Sequence, residues 1–119
     1  MNTLTIRLAT IDDIRKRVLD AGQNAMQGDP VPATPTLNFA NYDDMHRVLA
    51  PSRLAIVKSL AGQGALSIRE VARRVGRDVQ AVHRDVTTLI KAGVIDRTAR
   101  GIVFPYENIH FEFDVTAAA

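Results

Sequence analysis

Two consecutive helix patterns between residues 67 and 93 constrain the fold more than any other feature of the sequence. Ser67 stands three residues before Glu70, which is the spacing of a capping box, and Gly76 is suited to end that short helix. Asp78 is then placed to cap a longer helix that runs up to Gly93. Its apolar residues recur at intervals of three, four and seven and are predicted to face the core, and they are Val79, Val82, Val86, Leu89 and Ile90. A short and a longer helix joined by a glycine turn predict a helix-turn-helix.

The longer helix pattern leaves one face that is rich in hydrogen-bond donors and poor in acids. An arginine guanidinium can donate two hydrogen bonds to guanine, a glutamine amide can pair with adenine, and methyl groups can contact thymine. This composition favours insertion into the major groove of double-stranded DNA. The residues predicted to face outward are Gln80, Ala81, His83, Arg84, Thr87, Thr88 and Lys91.

Two short strand patterns, VIDRT and GIVFPY, follow the helices and are joined by a predicted turn near Ala99, Arg100 and Gly101. Arg97 and Arg100 lie at or near the tip of this hairpin. A basic hairpin after a recognition helix would contact backbone phosphates or the minor groove, as the wing of a winged helix does. The alternative is an ordinary solvated turn.

The charge of the chain is concentrated in its central segment. Residues 52–100 carry 10 basic and 4 acidic side chains, against 5 and 6 before them and 0 and 3 after them. A basic block between neutral and acidic ends is typical of a nucleic-acid-binding face. Charge alone fits a solvated charged face equally well.

The rest of the chain predicts an α+β fold, in which an N-terminal strand and helix and a C-terminal strand flank the winged helix-turn-helix. Residues 3–8 alternate as a half-buried strand does, and a capping box at Thr10 and Asp13 begins an amphipathic helix that runs to about residue 26. The proline-rich segment 27–36 predicts an extended connector. We therefore divide the chain into residues 1–36, for dimerisation or partner contact, and a DNA-binding unit over residues 37–119.

The segment NIHFEFDV alternates strictly between apolar and polar residues, which predicts a strand with Ile109, Phe111, Phe113 and Val115 facing inward. The N-terminal strand has a matching apolar face, and its outward Arg7 can lie opposite Glu112 or Asp114. Whether the two strands pair within one chain or between two chains stays open. Regulators that bind palindromic sites are usually two-fold dimers, so we expect a homodimer with these strands or the first helix near its interface.

Residues 51–104 resemble the winged-helix transcription regulators of the MarR/ArsR-like superfamily. More narrowly, the run GRDVQAVHRDV and the later Phe-Pro-Tyr resemble a small prokaryotic group of predicted DNA-binding regulators, many of which look like antitoxins that repress their own operon. The resemblance implies a repressor of this kind, with double-stranded DNA and a cognate toxin as partners.

The resemblance also implies a role for each contact residue. Many related proteins have Ser-Thr early in the recognition helix, where this chain has Gln80 and Ala81, so the resemblance does not imply which base pairs are read. The base-reading positions would be Gln80, Ala81, His83, Arg84 and Thr87, the backbone contacts Ser67, Arg69 and Arg77, and the wing contacts Arg97 and Arg100.

Other classes of function find little support in the sequence. There is no cysteine, the three histidines fall on separate predicted elements, and no glycine pattern matches a phosphate-binding loop, so we expect neither an enzyme nor a metal or other cofactor. No apolar run approaches the length of a membrane span, and the N-terminus does not resemble a signal peptide, which favours a cytoplasmic protein. Two alternatives remain: a ligand-responsive repressor without a toxin, and an interaction module that has lost DNA binding.

Overall fold

The computed structural model describes residues 2–9, 11–26 and 35–114, which form an α+β fold. Predictions for Thr10, for Val115 and for the connector up to residue 34 lie outside these residues. The elements in chain order are β1 (Thr3–Leu8), α1 (Ile11–Met26), β2 (Thr36–Phe39), α2 (Tyr42–Val48), α3 (Pro51–Leu60), α4 (Ile68–Val75), α5 (Val79–Ala92), β3 (Asp96–Thr98), β4 (Gly101–Val103) and β5 (Asn108–Glu112).

The helix ends that the sequence predicts are confirmed by local hydrogen bonds. Ser67 caps α4 by accepting a hydrogen bond of 3.1 Å from the backbone N–H of Glu70. Asp78 caps α5 by accepting from the N–H groups of Gln80 and Ala81 at 3.0 and 3.3 Å. Such caps satisfy backbone donors that the first turn of a helix leaves unpaired.

The main core lies between the helices and the β3–β4 hairpin. Its fully buried side chains come from helices α3 to α5 and from the segment that follows them, and each contributes roughly 1.5–3 kcal/mol by leaving water. They are Ile56, Leu60, Val71, Val82, Val86, Leu89, Val94, Ile95 and Ile102. Because α5 buries a continuous stripe here, its rotation about its own axis is fixed.

A second part of the fold is a three-stranded sheet in the order β2-β1-β5, with both pairings parallel. The two terminal strands therefore pair within one chain. Arg7 on β1 lies beside Glu112 on β5, and its Nη2 is 3.1 Å from Oε2 of Glu112, which confirms the predicted cross-strand pair. Leu4 and Ile6 of β1 point to the buried side of the sheet.

Two apolar predictions fail in the structure, and one apolar stripe is exposed. Phe111 was expected to be buried but is 40% exposed, because β5 is an edge strand and its side chain lies at the margin of the core. Val79 was expected to face the core but is 43% exposed, since it lies in the first turn of α5 beyond the buried stripe. Along α1, Ile11 and Val18 are 75% and 65% exposed, so the apolar stripe of this helix is left uncovered in the described residues.

The β3–β4 hairpin is antiparallel, and its second strand pairs with Leu66, which lies just before α4. Leu66 and Ile102 exchange two backbone hydrogen bonds of 2.9 and 2.8 Å. Gly101 makes this approach possible, because its φ is +137° and a Cβ at this position would overlap the carbonyl group of Leu66. The turn at Ala99 and Arg100 is thereby held next to the N-terminus of α4.

Candidate nucleic-acid interface

The outer face of α5 carries four of the five predicted base-reading residues. Successive residues of an α-helix are about 100° apart around its axis, so Gln80, His83, Arg84 and Thr87 share an arc of about 100°. The first three are exposed and Thr87 is half-buried. The Oγ1 of Thr87 donates a hydrogen bond of 2.9 Å to the carbonyl oxygen of His83. Ala81 is half-buried at the margin of this face.

Asp85, the one acid in the middle of α5, is turned away from the outer face. Its carboxylate accepts hydrogen bonds from Arg53 Nε on α3 at 3.1 Å and from Arg77 Nη1 at 2.7 Å. Burial acts to raise the pKa of Asp85, but the hydrogen bonds and charges of Arg77 and Arg53 outweigh it and hold the pKa below its usual value. Asp85 is therefore ionised and neutralised inside the fold.

Arg77 was predicted to contact the DNA backbone, and the structure gives it a second role. Its guanidinium links the α4–α5 connection to Asp85, and its side chain keeps 32% of its surface exposed. Arg53, on the other side of Asp85, also donates to the carbonyl oxygen of Arg47. The cluster thus ties α2, α3 and α5 together, while part of Arg77 still faces the solvent.

A concave surface beside α4 brings Arg69, Arg73 and Arg77 together with Val79 of α5. Arg73 and Arg74 both donate to the carboxylate of Glu70, and these hydrogen bonds lower the pKa of Glu70 to about 2. Arg73 is not among the contact residues that the sequence predicts. Its spacing of four from Arg69 is the signal that places both on one helix face.

A second concave surface joins the hairpin turn to the start of α4. It is lined by Ile68 and by residues 97–102, which include the predicted wing contacts Arg97 and Arg100. Thr98 Oγ1 accepts a hydrogen bond of 3.2 Å from the N–H of Arg100 and donates one of 2.9 Å to the carbonyl oxygen of Gly101. These two hydrogen bonds fix the shape of the turn. The exposed cap residue Ser67 is adjacent, since Gly101 packs against Leu66 and the N–H of Ser67.

Ion pairing separates the charges of this region into an inner and an outer set. Glu70, Asp78 and Asp85 are engaged by arginines or by helix N–H groups. Among residues 67–103, all of which the structure describes, five exposed cations form no ion pair, and they are Arg69, Arg84, Lys91, Arg97 and Arg100. The unpaired cations of this region are therefore exposed to solvent, on the surface that carries the predicted contacts.

The sequence profile of the family described as HVO_A0114 matches residues 48–111, which is more than half of the chain. The chain belongs to this family. The HVO_A0114 match runs from the last residue of α2 into β5 and contains every predicted contact residue, whereas β1 and α1 lie before it. Comparisons with the curated proteins and with the solved structures gave no match.

The described residues of this HVO_A0114 family member contain neither a candidate metal site nor a candidate membrane span. Within residues 2–9, 11–26 and 35–114, no three His, Asp or Glu side chains lie close enough together to hold a metal ion. No helix over the same residues is long and apolar enough to cross a membrane.

Proposed function

We propose that this member of the HVO_A0114 family is a sequence-specific transcriptional repressor that binds double-stranded DNA as a winged helix-turn-helix. In this proposal α4 and α5 form the helix-turn-helix, with α5 as the recognition helix in the major groove. The β3–β4 hairpin is the wing. The order of α3, the paired residue Leu66, α4, α5 and then the hairpin supports this assignment.

One observation carries the proposal, and it is the outer face of α5. Gln80, His83 and Arg84 are exposed on one side of a helix whose opposite side is locked into the core. The acid that would repel phosphate from this helix, Asp85, is paired with two arginines of the fold. A face of donors without an unpaired acid is what recognition of base edges in the major groove requires.

The remaining contacts supply orientation and affinity. Arg97 and Arg100 on the wing and Arg69 on α4 are unpaired cations that can neutralise phosphates, which position a protein on DNA without reading its sequence. Each neutralised phosphate contributes about −0.9 to the slope of log affinity against log salt. Three such contacts per chain would make binding strongly dependent on salt.

The narrower form of the proposal is a cytoplasmic antitoxin that represses its own operon as a homodimer. It is supported by the sequence resemblance of residues 51–104 to such regulators. Purification of the native protein together with the product of the adjacent gene tests it. A stable complex with a toxic protein supports the antitoxin role, and a chain that purifies alone with a bound small molecule favours a ligand-responsive repressor instead.

Selection from a pool of random duplexes, followed by titration of the selected sequence, tests DNA recognition directly. We expect Arg84→Ala to weaken binding to the selected duplex by roughly 1–3 kcal/mol and to relax the preference at one base position. Arg15→Ala is the matched control, because Arg15 is an exposed arginine on α1 outside the proposed interface.

Three results would count against this assignment. If Arg84→Ala lost the same affinity for selected and for random duplexes, Arg84 would contact a phosphate and would not read a base. Equal effects of Arg84→Ala and Arg15→Ala would remove α5 from the interface. Failure to bind any duplex at low salt would leave the alternative of an interaction module.

A further inference from the structure

The outer edge of β5 has backbone groups without a partner strand among the described residues. Glu107, just before β5, donates its N–H to the carbonyl oxygen of Asn2, and β5 then runs parallel to β1. Because backbone groups alternate sides along a strand, His110 and Glu112 direct their N–H and C=O groups away from β1. An exposed edge of this kind is a template for pairing with another strand.

The side chains at this edge are also incompletely covered. Phe111 is 40% exposed, although its neighbour across the ladder, Ile6 of β1, is fully buried. A groove of 250 Å³ between α3 and β5 lies next to this ring and is lined mainly by apolar side chains, among them Leu54 and Phe104. A half-exposed aromatic ring beside an apolar groove on an open sheet edge indicates an interaction surface.

From these features we infer that β5 pairs antiparallel with β5 of a second copy of this chain. The two three-stranded sheets then become one six-stranded sheet with a two-fold axis. The inference does not rest on the proposed function, because it uses only the edge of the terminal sheet and none of the predicted DNA contacts.

The sequence of β5 is complementary to itself in one antiparallel register, which is centred on Phe111. On the apolar face, Phe111 lies opposite Phe111 of the second copy, and Ile109 lies opposite Phe113. On the polar face, His110 lies opposite Glu112, where the imidazole can donate to the carboxylate. Both faces of the ladder are therefore matched by the same register.

The neighbouring allowed register, centred on His110, has a less favourable polar face. It places His110 opposite His110 of the second copy and leaves Glu112 opposite Asn108. The register centred on Phe111 also makes the two Phe111 residues a pair without mutual backbone hydrogen bonds, in which side chains approach most closely. A symmetric, self-complementary contact of this kind favours a second copy over an unrelated protein as the occupant.

Substitutions at one outward position test the interface without altering the β1–β5 ladder. Sedimentation of the full chain over a dilution series should show a dimer for wild type and for His110→Lys, which keeps a donor opposite Glu112. His110→Glu should raise the dimer dissociation constant at least about tenfold, because it places like charges opposite each other twice. A wild type that stays monomeric, or a His110→Glu variant that dimerises as tightly as the wild type, would overturn the inference.

Cysteine crosslinking tests the register, since the chain contains no cysteine of its own. In the proposed register the two residues at position 111 have Cα atoms about 4.5 Å apart, which is within disulfide range. Phe111→Cys should therefore form a disulfide-linked dimer under mild oxidation, and Val18→Cys on the exposed stripe of α1 should not. Crosslinking through Val18→Cys alone would assign the dimer to α1 and overturn the β5 interface.

The two proposals fail separately in these experiments. A monomer that still binds a selected duplex would reject the β5 interface and keep the DNA-binding proposal. A β5-linked dimer that binds no duplex would reject the DNA-binding proposal and keep the β5 interface.

Discussion

Asp85 on α5 accepts a hydrogen bond of 3.1 Å from Nε of Arg53 on α3, across 32 residues of sequence. The second oxygen of the same carboxylate is held by Arg77, so one acid joins α3, α5 and the connection before α5. Its side chain is only 13% exposed. The orientation of the outer face of α5 thus depends on a charge that lies on the other side of the helix.

Replacing Asp85 by asparagine should destabilise the fold by about 2 kcal/mol, because hydrogen bonds to a charged group are lost and two arginines are left without their counter-ion. Urea unfolding of wild type and Asp85→Asn measures this difference. Asp96→Asn is the control, since Asp96 is an exposed acid on β3. Equal unfolding midpoints for Asp85→Asn and Asp96→Asn would show that the cluster contributes nothing to stability.

The carboxylate of Asp85 should also make the stability of the fold depend on pH in the acidic range. The pKa of Asp85 is lower in the folded chain than the value of about 3.9 expected for the unfolded chain. Its contribution is therefore fully present above about pH 4 and is lost as the pH falls through the lower, folded pKa. We expect the difference in melting temperature between wild type and Asp85→Asn to be constant from pH 7 to pH 5 and to shrink below pH 4. A difference that persists unchanged at pH 2 would contradict this.

Local chemistry explains which parts of the fold the sequence predicts. The caps at Ser67 and Asp78 depend on residues two or three positions away. Alternation along β1 and β5 is sufficient to place Arg7 on the same face as Glu112 and Asp114, and the register of the sheet then pairs it with Glu112. The sequence alone does not identify Arg53 and Arg77 as the two partners of Asp85. Arg53 becomes a neighbour of Asp85 only when α3 packs on α5.

The exposure of Phe111 was missed for a related reason. Alternation shows which side of a strand is apolar, but it does not show which strand lies at the edge of the sheet. That order depends on β1 lying between β2 and β5, which is a property of the whole fold. The hairpin residues Arg97 and Arg100 were predicted as exposed, and they are, because short hairpin turns leave their side chains in solvent.

If the proposed function is correct, removal of the two arginine charges of the β3–β4 hairpin should weaken binding to all DNA sequences equally. The double variant Arg97→Ala and Arg100→Ala should lose affinity about equally for selected and random duplexes, and its slope of log affinity against log salt should be shallower by about 1 or 2. Fluorescence anisotropy at several salt concentrations measures both quantities. An unchanged slope would place the hairpin outside the interface, and Arg15→Ala again controls for the loss of a surface arginine.

Gly101 should be the most sensitive position of the hairpin. In Gly101→Ala the new methyl group would overlap the carbonyl of Leu66, and φ of +137° is rarely adopted by residues with a side chain, so the hairpin must separate from the start of α4. Gly64→Ala is the matched control, because Gly64 also has a positive φ of +71° but has open space around it. Both variants carry strain of about 1–3 kcal/mol, and Gly101→Ala should be the less stable in urea unfolding by the additional cost of the overlap. It should also bind DNA less tightly, since Arg97 and Arg100 are positioned by the same contact. Equal stabilities for the two variants would mean that the hairpin does not depend on its close approach to Leu66.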